Sequence, residues 1–327
     1  MSQTNFLPVL HGAAADRPDE ADTIVTAKFV AAALQRLGYH SKVMRIGLNL
    51  GELAALPARQ PVLLFNLVEA LDGDSALAHL VPAALDHFGL GYTGNGLVAH
   101  HLAFTKPGSK HLLAASGLPT PRWSIDGSGF APDEKVIIKS QTEHASLGID
   151  SGSVVSAQDA RREIIAREQR FGGRFFAEAY VEGREFNLSL LETPNGVRVL
   201  PPAEILFVDF PDARPRIVDY EAKWDPNAAA YANTPRSFDF PSSDMPLLSE
   251  LPQLALKAWQ VFGLSGYARI DFRIDTAGRP WILEVNLNPC LAPDAGFMAA
   301  ARRGGLDEDA VVAQIVSAAM AQRQEAA

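Results

Sequence analysis

The sequence predicts an α/β protein: a parallel sheet with flanking helices at the N-terminus, then units built on antiparallel strands. Three observations carry this. PVLLFNLV, Pro61 to Val68, is a short continuous apolar run, the pattern of a strand buried on both faces. Ile24, Ala27, Val30, Ala31 and Leu34 recur at helical spacing before Gly38. Residues 269–275 alternate apolar and polar, as a half-buried strand does.

In chain order, FLPVL (Phe6–Leu10) reads as a buried strand and the stretch from about Asp19 to Leu37 as a helix ended by Gly38. Ser41–Ile46 and Pro61–Val68 are strands, Ala76–Phe88 a helix, and GLGYTG a short strand and turn. This strand–helix alternation defines a first unit, residues 1–96. Lys106 and Lys110 precede a helical stretch ending at Gly117, and KVIIKS (Lys135–Ser140) is a strand. A polar loop, QTEHASLGIDSGSVV, leads to a charged helix, Ala157–Arg170, and Phe176–Leu191 reads as strand, turn and strand. IVDYEAKWDP is strand-like, and residues 225–243, rich in Pro, Asn and Ser, read as a long mobile loop of lid type. Leu251–Phe262 is a helix, a hairpin follows, and two further helices lie near Ala295–Ala301 and from Asp307 onward. Units at residues 1–96, 97–183 and 184–327 are expected.

Bulk properties exclude several classes. The 327-residue chain carries 29 basic and 38 acidic residues, a net charge of −9, which argues against a nucleic-acid footprint. One cysteine, Cys290, excludes a disulfide framework within one chain. No window approaches the roughly 18 uncharged apolar residues of a membrane span, and the N-terminus has no signal-peptide pattern. A cytoplasmic protein is expected. HGAAADRP after the first strand lacks G-x-G-x-x-G, and no P-loop occurs.

RIDFRIDTAGRPWILEVNLNP, Arg269 to Pro289, poses the chemical question. With Ala277–Gly278 as a two-residue turn, Asp271 falls opposite Glu284, and Asn286 shares their face. Adjacent carboxylates repel unless something neutralises them. Either Arg269 and Arg273 balance a solvated face, or the oxygens hold a hard cation such as magnesium.

YTGN, Lys106 before LLAASGLPTP, KSQTEHASLG, EAYVEGREF, DYEAKW, ARIDF and LEVNLNP, in this order, closely resemble the ATP-grasp superfamily, and within it the D-alanine–D-alanine ligase branch of carboxylate–amine ligases. The resemblance spans roughly residues 80 to 320. It implies an ATP-grasp fold, an N-terminal parallel α/β domain followed by two mixed α+β lobes gripping ATP. It also implies a reaction: ATP phosphorylates a substrate carboxylate, and an amine attacks the acyl phosphate to give an amide.

The resemblance assigns residues as well. Asp271, Glu284 and Asn286 match magnesium ligands, two ions with Glu284 bridging and manganese the alternative metal. Lys106 and Lys139 match lysines on the nucleotide phosphates; a snorkelling surface lysine is the other reading of Lys139. Ser146, Leu147 and Gly148 match a loop that closes over phosphates. Glu178 and the backbone of Val181 match the adenine hinge. Glu185 matches a ribose-binding acid, an ion pair with Arg184 or another base being the alternative. Lys223 matches a phosphate contact near the lid, and Arg269 a stabiliser of charge on the acyl phosphate, unless it simply pairs with Asp271 or Glu284.

Departures lie on the substrate side. The hairpin ends NLNPC, with Cys290 where the family has glycine; a space-filling role is expected rather than a nucleophile. The serine that anchors the acceptor carboxylate is missing, Ala295 and Gly296 standing there, and Asp294 reads as a helix N-cap. Ala145 replaces a serine, Trp224 a tyrosine, and Glu20 is the nearest N-terminal acid. An ADP-forming ligase acting on a small carboxylate and an amine is expected, with no nucleic-acid or membrane partner and a homodimeric assembly, its product other than D-alanyl-D-alanine. The alternative is an inactive nucleotide sensor, which could dispense with the magnesium triad.

Overall fold

The computed structural model describes residues 5–12, 18–143, 146–211, 214–225 and 227–325. Strand β1 (Val9–His11) lies between β2 (Val43–Arg45) and β3 (Phe65–Asn66), parallel to both. The ladders are short, yet Val62, Phe65 and Leu67 donate N–H groups to Phe6, Pro8 and Leu10, so the apolar run follows β1 throughout. Its side chains alternate between two cores. Leu63, Phe65 and Leu67 pack with the Ala27–Leu34 face of helix α1 (Pro18–Arg36), while Leu64 and Val68 pack with Leu53 of α2 (Gly51–Ala54) and with Val81 and Leu85 of α3 (Leu80–His87). Burial on both faces is why the run shows no alternation.

Helices α4 (Leu97–Leu102) and α5 (Lys106–Ala115) follow. The sequence reading put Lys106 and Lys110 before the helix. They lie inside α5, because Thr105 caps it by accepting from Gly108 N–H at 3.1 Å and the turn starts at Lys106. A four-stranded antiparallel sheet comes next, β4 (Trp123–Ser124), β5 (Lys135–Ser140), β6 (Val154–Ser156) and β7 (Phe175–Ala179), in order β4-β7-β5-β6. Val136, Ile138 and Ala177 pack on α6 (Ala160–Phe171), which turns Ile137, Lys139 and Glu178 to the other face.

The largest sheet is antiparallel: β8 (Gly183–Thr193), β9 (Gly196–Val199), β10 (Ala203–Ile205), β11 (Arg236–Ser237), β12 (Tyr267–Asp275) and β13 (Pro280–Asn286), in order β11-β10-β8-β12-β13 with β9 beside β8. DYEAKW, read as strand-like, is instead helix α7 (Tyr220–Trp224): Asp219 accepts from Ala222 N–H at 2.9 Å, a capped start that Glu-Ala-Lys continues. The long loop read over residues 225–243 contains α8 (Ala229–Ala232) and β11. Helix α9 (Met245–Phe262) covers one face of the sheet, burying Phe186, Leu188, Ile270, Phe272 and Ile282. Helices α10 (Gly296–Arg303) and α11 (Glu308–Glu325) pack against α1 and β1. The N-cap of α10 is Ala295, without a side-chain bond, so Asp294 is not the cap expected of it. Among the described residues no helix is long and apolar enough to cross a membrane.

Candidate active site

The uncovered face of the β8–β13 sheet, the lysine-bearing face of β5 and β7, and the start of α1 border one cavity of about 560 Å³. Its floor is set by strand register. Asn187, Asp271 and Glu284 stand in one row across β8, β12 and β13; Arg269 faces Asn286 in the next. Asp271 sits opposite Glu284 as expected, but the expected two-residue turn is wrong. The loop runs from Asp275 to Arg279, closed by Asp275 N–H on the Arg279 carbonyl at 3.0 Å, with Gly278 at φ +81°. That shifts pairing by one residue, and a bulge between Asp271 and Phe272 shifts it back. The extra residue, Leu283, was expected to face away from Glu284; the bulge lines it on the cavity instead.

Asp271 accepts four hydrogen bonds. One oxygen accepts from Arg269 Nε at 2.7 Å and Asn187 Nδ2 at 2.9 Å, the other from Arg269 Nη2 at 2.8 Å and Asn286 Nδ2 at 2.9 Å. Arg269 thus pairs with Asp271, the plainer of the two readings of that residue, while also lining the cavity. Lys106 Nζ stands 3.6 Å from Glu284 and donates to the Glu143 carbonyl. Each carboxylate of the row therefore has a base beside it. Among the described residues no three His, Cys, Asp or Glu gather as a metal cluster. The donor set is two carboxylates and an amide oxygen, all hard oxygen ligands of the kind magnesium takes.

Across the cavity Glu178 is 1% exposed and lies between two ammoniums, Lys139 at 2.8 Å and Lys110 at 2.5 Å. Burial alone would raise its carboxyl, but the two lysines hold it below the usual range. Lys139 is buried in this pair, so the snorkelling reading fails. Sequence reasoning missed Lys110 as a site residue. Its signal was the four-residue spacing from Lys106, which stacks the two lysines on one helix face. Lys110 also donates to Thr120 Oγ1 at 3.0 Å, and Thr120 donates to the Ile282 carbonyl at 2.9 Å, tying this cluster to the β12–β13 hairpin.

Val181 and Glu185 line the cavity between these two ends. Burial raises the Glu185 carboxyl, opposed by Arg273 at 3.5 Å. The ion pair weighed as the other role of Glu185 is made, with Arg273 and not with Arg184. Strand alternation sends Arg184 to the far face, where it grips Glu204 and Asp244 at 2.7 Å each. Ser146 and Leu147 line the cavity and Gly148 lies just behind, its Cβ position 3.0 Å from the Phe175 ring. Ser146 at φ +61° donates its hydroxyl to the Val218 carbonyl at 2.9 Å, joining this loop to the segment that leads into α7. His144 and Ala145 lie outside the described residues.

Lys223, Trp224, Arg236, Glu20 and the loop after β13 form another part of the cavity wall. Burial, then Arg269, lowers the Lys223 ammonium. Cys290 donates its thiol to Asp22 at 3.0 Å and lies 3.4 Å from Thr26 Oγ1; burial and Asp22 push it up to about 12, which suits a spacer and not a nucleophile.

Sheet, cavity and base-lined carboxylates fit the ATP-grasp fold that the sequence resemblance implies. Comparisons with known proteins agree. Residues 134–317 match the model of the D-ala D-ala ligase C-terminus. The D-alanine–D-alanine ligase of Gloeobacter violaceus is 30% identical over 326 residues, 95% of this chain and 98% of that one. An uncharacterised protein of Sinorhizobium fredii, y4sG, is 29% identical over 90% of this chain and 87% of its own. Among solved structures, D-alanyl-alanine synthetase A from Vibrio cholerae superposes with TM-score 0.75 at 16% identity, covering 98% of this chain and all 100% of that one. D-Alanine–D-alanine ligase from Bacillus anthracis complexed with ATP gives 0.71 at 18%, covering 98% and 99%. The chain belongs to the D-alanine–D-alanine ligase family. It is an ATP-dependent, ADP-forming carboxylate–amine ligase.

Proposed function

We propose that the enzyme activates the carboxylate of one amino acid and joins it to the amine of a second, with the work divided among the residues of this cavity. The observation that carries the reading is the Asn187–Asp271–Glu284 row, flanked by Arg269 and Lys106 and faced by Lys139. Lys106 and Lys139 hold the phosphates of ATP, and Ser146, Leu147 and Gly148 cover them with backbone N–H groups. Glu178 and the Val181 backbone hold the adenine, Glu185 the ribose. Asp271, Glu284 and Asn286 would hold magnesium, two ions as the resemblance implies. When bound, these ions neutralise phosphate charge and orient the group that moves.

Phosphoryl transfer needs positioning and charge stabilisation more than covalent chemistry. Arg269, locked on Asp271 by two hydrogen bonds, is preorganised to hold the charge that develops on the acyl oxygen. Lys223 stands on the same side with Trp224, where it meets the transferred phosphate. Cys290 closes the space beside α1 and bounds the carboxylate substrate. The three sheets support units at residues 1–96, 97–183 and 184–327. A cytoplasmic setting fits the single unpaired cysteine, and a homodimer is the assembly the resemblance implies.

D-Alanine is the substrate named in the relatives' names. Cys290, Gly296 and Trp224 support a pair other than two D-alanines. ADP release across all pairs of L- and D-amino acids tests this. Turnover is expected with at least one mixed pair. No release with any pair would overturn the roles assigned here, and D-alanine alone as the best substrate would overturn the reading of the acceptor side.

A further inference from the structure

Arg236 is absorbed by none of these roles. It sits on the edge strand β11, opposite Ile205, and its guanidinium reaches over the start of α10. A Cβ built on Gly296 would lie 3.3 Å from Arg236 Nε and 3.9 Å from its Cζ. Gly296 does not have a left-handed φ. Its lack of a side chain is therefore a matter of space: the arginine occupies the place that a residue-296 side chain would take.

The guanidinium is underused. Among the described residues it makes one hydrogen bond, Nη1 to the Asp294 carbonyl at 2.9 Å, out of five N–H donors. It has no carboxylate partner within ion-pair distance among the described residues. Burial and then Arg269 lower the guanidinium, while Asp294, Tyr231 and Cys290 favour its charge. Lys223 adds a third cation to this end of the cavity, and Arg269 already has Asp271. Asp294 tempers Arg236, and Glu69 and Asp271 temper Lys223, so what marks Arg236 is its spare N–H donors at the cavity wall.

We propose that Arg236 is the specificity-determining anchor for the carboxylate of the amine-bearing substrate, bound between the guanidinium and the first turn of α10. The inference rests on the reading of this cavity as an amino-acid ligase site, and it narrows the acceptor to an amino acid with a free carboxylate. An arginine fork takes a carboxylate with two parallel hydrogen bonds, which an amide cannot reproduce.

The test compares wild type, Arg236→Gln and Arg236→Lys with the amino acids of the panel and their carboxamides. In ADP release, Arg236→Gln should raise the acceptor KM at least tenfold and leave the KM for ATP unchanged, with Arg236→Lys between. Thermal shift of the ADP-loaded full chain gives a readout that needs no turnover. Wild type should be stabilised by the acids and not by their carboxamides, and Arg236→Gln by neither. A wild type that does not distinguish acid from carboxamide overturns the subsite, as does a variant whose KM rises for ATP alone. Acid-selective stabilisation without ADP release would sink the ligation reading and leave the subsite standing.

Discussion

Glu178 and Cys290 are both buried, and their surroundings set opposite chemistries. Glu178 has two ammoniums on one carboxylate, so it stays charged; Cys290 has a carboxylate for a neighbour, so it stays a thiol. Replacing Glu178 by Leu leaves two buried lysines facing each other and should cost about 3–5 kcal/mol in urea unfolding. Lys110→Met leaves the Glu178–Lys139 pair intact and should cost clearly less; equal losses would contradict the three-charge arrangement. For Cys290, a thiol pushed up to about 12 carries roughly a thousandfold less thiolate at pH 8 than an ordinary cysteine. Its alkylation should therefore be slow at neutral pH and still rising with pH above 9, and Asp22→Asn, which removes the repelling charge, should speed it. A rate that levels off near pH 9 would contradict this.

The hairpin of β12 and β13 shows what patterning can and cannot reveal. Its alternation placed Asp271, Glu284 and Asn286 on one face directly, because a pleated strand has period two. The pairing of Asp271 with Glu284 came from a two-residue turn that does not exist; a longer loop and a bulge each move the register by one and cancel. A bulge has no periodic signature, so Leu283 was assigned to the wrong side. Ile282→Ala should cost about 2–5 kcal/mol, the range for a buried apolar truncation, and Leu283→Ala much less, since its side chain meets the cavity. Similar losses at the two sites, measured by urea unfolding, would argue against the bulge. Helix α7 went unread because five residues hold little more than one turn, too few to show a period. Arg236 was invisible for another reason: its partner surface at Gly296 is remote in sequence, and only the fold of β11 brings them together. Gly296 and the missing serine were legible; what fills the gap was not.

At the scale of the molecule, separate elements contribute to one cavity: Lys139 and Glu178 from β5 and β7, Lys106 from α5, Asp271 and Glu284 from β12 and β13, and Arg236 from the edge of that same sheet beside α10. The residues expected to face the nucleotide match the family pattern and could be read from motifs; the end proposed to take the acceptor departs from it and could be read only as a set of absences. In the proposed mechanism Asp271, Glu284 and Asn286 hold the metal of the nucleotide. Calorimetric titration of ADP into wild type and an Asp271→Asn, Glu284→Gln double variant, each with and without magnesium, tests it most directly. Wild type should bind at least about tenfold, or 1.4 kcal/mol, tighter with magnesium, and the variant should gain nothing. The same gain in both proteins, or none in wild type, would contradict it.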